Sequence, residues 1–543
     1  MSTSKQSTAR ARVGALLVVC LLLAVAHTWP YARAPHRNSR VDNADYLLNA
    51  WAISWVAHQA FTDPSRLFEA NIFWPAHRTL AYSEAMIVQG LMAAPIRLLG
   101  GSPVLAFNGV MLAGFALTAF AFGLLAYRWT GSWPAALLTA SAAGFNSHLF
   151  TRMAHMQAMH VEFIALALFG LDQVFTRARV RDAVTLGVGF ALQGLTSIYL
   201  LVFTTWGLIF AGGSRLCTAE PNRRGRAVAL TGLAAAVALL LLAPYLNAYY
   251  QTSLDQRFSR SIADNVDLAG SYTDYLSSVS WVHYWWSRPF VDVSRSINFP
   301  GVAVLTLSAV ALFPGRRGPA ARQFMCATGA VGCALVAVLP RMPGYERIHD
   351  VIPLFWAVRV QAHIGQVVLL FLALLAGFGL ARLEHAWGAR RGWLAVAAAA
   401  IALVNAEACR APLPYQAFGG IPPIYRVLSA APNAVVVELP IYDRHAWARN
   451  AAYMLNSTSH WKPIVNGYSG FMPASYASLQ TALAGFPGLD TLETMHRRGI
   501  SHAVVHEAAF IGMHGQARFD EIGRIQSLDE IARDGDIHVY RLR

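Results

Sequence analysis

The sequence is poor in charge. Of its 543 residues only 13% are Asp, Glu, Lys or Arg, about half the share usual in soluble domains. That shortage excludes a single water-exposed globule. Lysine is nearly missing: Lys5 and Lys462 are the only two, and the other basic side chains are arginine. The five cysteines (Cys20, Cys217, Cys326, Cys333 and Cys409) lie in or beside apolar runs without Cys-x-x-Cys spacing, so no disulfide framework or thiolate metal motif is expected. No glycine-rich phosphate loop of the Walker type is present, and nothing in the chain points to ATP hydrolysis. No internal repeat is visible either.

What the chain has instead is apolar sequence. Hydrophobic residues make up 55% of it, and the mean hydropathy is +0.40. Apolar runs fall near 13–29, 103–127, 132–150, 158–175, 183–196, 198–213, 227–246, 299–313, 323–339, 364–381 and 392–408. Several are shorter than the ~20 residues that cross a hydrocarbon core. Between alternate runs lie short arginine connectors: Arg128; Arg177 to Arg181; Arg215 to Arg226; Arg316, Arg317 and Arg322; Arg382 to Arg391. Basic residues in short loops stay cytoplasmic. The pattern therefore predicts about eleven spans, a cytoplasmic N-terminus and an extracytoplasmic tail, provided that 85–99, which holds Pro95 and Arg97, lies on the outer surface without crossing. On this topology only Asp172, Asp182, Glu220 and Glu384 of the 29 acidic residues face the cytoplasm. The formal net charge of +14 is then a topology signal, and no nucleic-acid partner is expected.

Outside the membrane this predicts a first loop at 30–102, segments 247–298 and 340–363, and a tail at 409–543. The tail alternates strand-like "VVVELP" (435–440) and "HAVVH" (502–506) with helix-like "PASYASLQTALAGF" (473–486), which predicts a small α/β domain after a transmembrane domain over 1–408.

Acids and bases gather in these outer stretches. Leu48, Trp51, Ala52, Trp55 and Val56 recur at helical spacing, so 43–58 is expected to be an amphipathic helix on the membrane surface with its Trp pair at the interface. Asp42 and Asp45 open it; they serve either as cap and dipole partner or as functional carboxylates. Glu84 has the same two readings before the 85–99 helix. "FNSHLFTRMAHMQAMHVEF" (145–163) carries Arg152, His155 and His160. The two histidines are five apart rather than the four a helical zinc pair prefers, so satisfied structural histidines compete with a ligand role and the metal stays unknown. The tight turn at "LTSIYL" puts Tyr199 outside. Arg359 and His363, four apart, suggest two cations on one helical face opposite an anion such as phosphate, with pairing to a carboxylate as the alternative. Lys462 sits in "HWKPIVNGYSGF" (460–471), where aromatic, amide and glycine residues suit either a packed loop or contact with sugar or phosphate.

This combination resembles the GT-C class of integral-membrane glycosyltransferases, whose members include the aminoarabinose transferase of lipid A and the protein mannosyltransferases. "ADYLLNAW", "LFEANIFWPAHRTLAYSE", "RVQAHIGQ" and "HWKPIVNGYSGF" resemble more closely the motifs of a bacterial GT-C-like group, over nearly the whole chain. The resemblance implies a GT-C-like helical bundle in a bacterial inner membrane, acting outside it on a polyprenyl-phosphate-linked sugar. The partners implied are membrane lipid, this donor, and a glycan, lipid or protein acceptor. It implies Asp45 as general base, and Arg359, or Arg152 after it, beside the leaving phosphate. Some members hold a divalent cation at the acidic site. Here Asp42 and Asp45 are separated by two residues, so the adjacent acidic pair of some relatives is missing. A non-catalytic assembly protein with this fold, which would tolerate Asp45→Asn, and a lipid or glycan transporter are the rival readings. A transporter would be expected to show related halves and polar helix breaks at mid-membrane.

Overall fold

A computed structural model describes residues 3–258, 261–313 and 320–543; Arg316 and Arg317 of the expected connectors lie outside them. The chain is mostly helical, and a helix occupies each of the eleven apolar stretches. Among the described residues six helices are long and apolar enough to cross a membrane: Arg10–His27, Pro103–Thr130, Ile198–Thr218, Pro221–Gln256, Ala321–Arg341 and Gln361–Trp387. The protein is a multi-pass membrane protein. The stretch 132–150 is not one continuous helix. Trp133–Gly144 ends at the extended Phe145, and Asn146 accepts from Leu149 N to cap a separate short helix, Ser147–Thr151.

Contacts divide the chain into two compact units. One comprises Met1–Ala34, Gly109–Pro244 and Ser259–Pro414; the other comprises Pro35–Asn108, Tyr245–Phe258 and Tyr415–Arg543.

The first unit is a helical bundle whose core includes Phe122, Leu168, Phe203, Phe371 and Leu374. One end is tied by the arginine connectors. Asp172 is fully buried between Arg215 (3.2 Å) and Arg322 (3.0 Å). Arg223 and Arg226 donate to Thr176 O and Ala178 O, and Arg382 donates to Phe313 O. A buried carboxylate flanked by two guanidiniums is compensated on both sides, and these bonds gather four connectors at one end of the bundle. Elsewhere in the unit Glu407, at the end of Trp393–Ala408, accepts from Val302 N and Ala303 N and so caps Val302–Leu312.

The second unit is built around the helix Ala44–Thr62. Asn43 caps it, its side chain accepting from the amides of Asp45 and Tyr46. The expected cap, Asp42, is held instead by Arg40 at 2.9 Å. The expectation of a surface-lying amphipathic helix also fails, because both tryptophans are inside the protein. Trp51 is 2% and Trp55 5% exposed, and their indole N–H groups donate to Asn71 Oδ1 and Leu67 O. This helix packs against Ile87–Leu98, where Gly90 meets the Val56 side chain, and against Asn450–Ser457.

Two sheets complete the unit. Strands β1 (Asn38–Ser39) and β2 (Gln416–Ala417) form an antiparallel pair. Strands β3 (Val436–Leu439), β4 (His502–His506), β5 (Leu528–Asp534) and β6 (Ile537–Leu542) form a mixed sheet in the order β3-β4-β6-β5. The strands expected at 435–440 and 502–506 are β3 and β4, and the expected helix at 473–486 is Ala474–Leu483. The hairpin β5–β6 was not expected. Its turn is "DGD" at 534–536, with Gly535 at φ 57°, the asparagine-glycine-like signal that could have revealed it.

Candidate functional site

In the second unit, Asp45 occupies the first turn of its helix and accepts a hydrogen bond from Tyr468 Oη at 2.8 Å. Tyr468 comes from "HWKPIVNGYSGF", and that segment is laid along residues 71–74 of the first loop. Ile464 N donates to Asn71 O, Trp74 N to Ile464 O and Phe73 N to Asn466 O. Asn71 Nδ2 donates to Lys462 O. Glycine makes the approach close enough: a Cβ on Gly467 would lie 2.5 Å from the Phe73 ring, and one on Gly470 would lie 2.8 Å from Tyr82 O. The loop therefore reaches the Asp45 carboxylate through Tyr468, a residue of the right motif that spacing did not single out.

Lys462 turns its backbone toward the first loop, and its ammonium lies within electrostatic range of His460 and His502. His460 is buried; burial first, then the Lys462 charge, push its pKa down to about 3. It accepts from Lys462 N and stacks on Tyr425.

The other two acids are placed differently from Asp45. The Arg40 guanidinium holds the Asp42 carboxyl below the usual range, so Asp42 is an ion-pair partner at the surface. Glu84 is mostly buried within electrostatic range of Tyr245 and Tyr249. It lies ahead of the helix Ile87–Leu98, whose first turn follows Met86 at φ 47° and holds no acid. Tyr249 Oη instead accepts from Ala85 N and donates to Ser83 O. A divalent cation does not fit this arrangement: Asp42 is held by Arg40, Asp45 by Tyr468, and among the described residues no group of three or more His, Cys, Asp or Glu could hold a metal.

The first unit holds the basic candidates. Arg152, His148 and His155 all act electrostatically on His363, so the four form one cluster. Arg152 Nη2 donates to Arg295 O at 2.6 Å, His148 Nδ1 pairs with Ser296 Oγ at 3.1 Å, and the rings of His148 and His363 meet edge to face at 6.1 Å. His148 is the member missed from the sequence; it lies in "FNSHLF" inside an expected span, where a polar residue was the available signal.

Tyr199 and Arg359 also meet, but through the backbone: Arg359 N donates to Tyr199 Oη at 3.0 Å, and the Arg359 side chain is exposed. Arg359 stands in a bend and His363 in a 3₁₀ turn, Gln361–Ile364. They do not share a helical face, so the argument from cation pairing loses its basis. His160 is fully buried. Its Nδ1 pairs with Glu162 and its Nε2 with Val110 O, both at 3.0 Å, which leaves no nitrogen for a substrate. Ser197 caps the helix Ile198–Thr218, and Thr196 donates to Leu192 O, so these hydroxyls serve the hairpin.

The fold that carries these groups is GT-C-like, the architecture of membrane-embedded glycosyltransferases. Over 98% of its length the chain is similar to the arabinofuranosyltransferase AftD from Mycobacteria, with a TM-score of 0.61, 14% identity and 40% of that chain covered. It is also similar to ArnT from Cupriavidus metallidurans bound to undecaprenyl phosphate, with a TM-score of 0.50, 13% identity, and 97% of each chain covered. At these identities the likeness is one of fold, and the chain spans about two fifths of the length of AftD. No family model and no curated protein matches the sequence.

Proposed function

We propose that the protein transfers a sugar from a polyprenyl-phosphate-linked donor to a hydroxyl of a glycolipid, polysaccharide or protein acceptor. On this reading it is a glycosyltransferase of the bacterial inner membrane that works at the outer face. It has about eleven spans, a cytoplasmic N-terminus, segment 85–99 on the outer surface, a membrane domain over 1–408 and an extracytoplasmic α/β domain over 409–543.

The observation that carries the reading is the Asp45 carboxylate at a helix N-terminus, oriented by Tyr468. A carboxylate so held is suited to take the proton of an acceptor hydroxyl as its oxygen attacks the anomeric carbon. The bond from that carbon to the phosphate oxygen breaks, and its electron pair leaves with the polyprenyl phosphate. Cations fixed beside the growing charge stabilise the transition state more than the ground state. Arg152 is the cation suited to that task, with His148, His155 and His363 grouped within its electrostatic range. Arg359 and Tyr199 stand as a second, more exposed pair. The GT-C-like fold, shared with an ArnT structure that holds undecaprenyl phosphate, supports a lipid-linked donor.

The test is transfer by the purified protein in lipid, supplied with radiolabelled polyprenyl-phosphate sugars and a membrane extract. Loss of a general base costs about 10²- to 10⁴-fold in rate, so Asp45→Asn is expected to abolish measurable labelling while remaining folded. Labelling by Asp45→Asn at the wild-type rate would remove Asp45 as the base, and no labelling by the wild-type protein would overturn the reading and favour a non-catalytic assembly role.

A further inference from the structure

The second unit contains a cavity of about 290 Å³ that the Asp45 site does not use. Three indoles line it, those of Trp55, Trp74 and Trp461, together with Gln59, Arg66 and Glu69. Its size is at the lower end for small-molecule sites, enough for one or two rings. His58 stacks flat on Trp461, 4.5 Å between centroids and 10° between planes, which fixes the indole. The polar groups are part-committed. Glu69 Oε2 takes His77 Nδ1 and Arg78 N, leaving Oε1; Gln59 Nε2 donates to Asp63 O, leaving its carbonyl oxygen; Arg66 is exposed.

A second observation points to the same place. Bulky residues rarely adopt positive φ, and such strain collects at ligand-binding sites. Among the described residues seven non-glycine residues have positive φ; Trp461 (57°) is in the cavity wall, and Phe73 (59°) and Arg78 (51°) adjoin wall residues.

Resting on the transfer reading above, we infer that this cavity binds a saccharide unit of an extended acceptor. A sugar ring offers a C–H face to an indole and a rim of hydroxyls, each both donor and acceptor, and the wall supplies flat apolar faces beside carboxylate, amide and guanidinium groups. An acyl chain would leave the charged groups desolvated without partners, and a phosphate would meet Glu69. Trp55 is ten residues from Asp45 on one helix, on the order of 15 Å at 1.5 Å per residue. The unit bound here is therefore not the reacting one. Its binding energy is remote from the chemistry and acts on how the acceptor is held.

The test uses the full-length protein in nanodiscs, titrated with D-mannose, D-arabinose, N-acetylglucosamine and maltotriose and followed by tryptophan fluorescence and saturation-transfer NMR. At least one probe is expected to bind at millimolar concentration. Trp74→Ala, at a partly exposed position, and Glu69→Gln are each expected to weaken that binding about tenfold or more. Trp74→Ala is further expected to raise KM for a long acceptor and leave KM for a single-sugar acceptor unchanged. The same titration on Asp45→Asn separates this inference from the enzyme reading: binding without transfer in every protein sinks only the latter. No binding by any probe at about 10 mM, or equal binding by wild type and both variants, overturns the inference.

Discussion

Tyr468 donates its phenolic hydrogen to Asp45 Oδ1 across 2.8 Å, although 423 residues of chain separate them. The bond orients a carboxylate in the first turn of the helix Ala44–Thr62. A hydrogen bond to a charged group contributes about 1.5–3 kcal/mol. Tyr468→Phe is therefore expected to lower kcat for transfer roughly 10- to 100-fold with little change in KM for the lipid donor. The ring should keep its edge contact with Trp447 at 5.2 Å, so the loss of stability should not exceed the worth of that one hydrogen bond. A stability loss that accounts for the whole effect would assign Tyr468 to folding.

Gly467 tests the laying of the loop on Phe73. A methyl group there would stand 2.5–2.7 Å from three ring carbons of Phe73, and overpacking of this kind costs about 1–3 kcal/mol. Gly467→Ala should lower the unfolding free energy in detergent by that amount. Combining it with Phe73→Leu should restore part of the loss, because contacting residues are not additive. Additive effects would show that the two do not touch.

Acid sensitivity follows from His460. Its folded pKa, about 3, is below the ordinary 6.5 because burial disfavours the charge and Lys462 adds repulsion. Below 6.5 the unfolded chain binds a proton that the folded chain does not, so stability rises with pH over this window and falls as pH drops from about 6.5 toward 3. One such group contributes up to about 1.4 kcal/mol per pH unit. His460→Asn should flatten the pH dependence of unfolding between pH 6.5 and 5. An unchanged slope would mean that other buried histidines dominate.

Topology is checked by cysteine labelling. Native Cys217, which is exposed, and Asn222→Cys should react only from the cytoplasm, Tyr272→Cys and Asp520→Cys only from outside. A cytoplasmic Asp520→Cys would overturn the proposed orientation.

The helices of the membrane domain were legible because their signal is local: long apolar runs separated by arginine. What the sequence withheld depends on contacts across hundreds of residues. "DNAD" offers three residues able to cap a helix, and the choice of Asn43 is made by Arg40, which occupies Asp42. Trp51 and Trp55 have the spacing of an interfacial stripe, yet Asn71 and the Leu67 carbonyl satisfy their N–H groups inside the protein. Arg359 and His363 have helical spacing in a segment that is not an α-helix. The pairing of "HWKPIVNGYSGF" with the first loop had one sequence clue, the two glycines, and it becomes readable only when Phe73 and Tyr82 are seen beneath them.

The bridge from Asn38–Ser39 to Gln416–Ala417, with the bonds from Asn71 to Lys462 O and from Tyr468 to Asp45, also has a consequence in time. A ribosome adds about 5–20 residues per second, so the first loop emerges roughly 20–80 s before residues 416–468 that complete it. During that interval Asn71 and Asp45 have none of these partners. On the proposed reading, the chain enters the membrane while the Asp45 site is still incomplete, and transfer waits until the late segment docks.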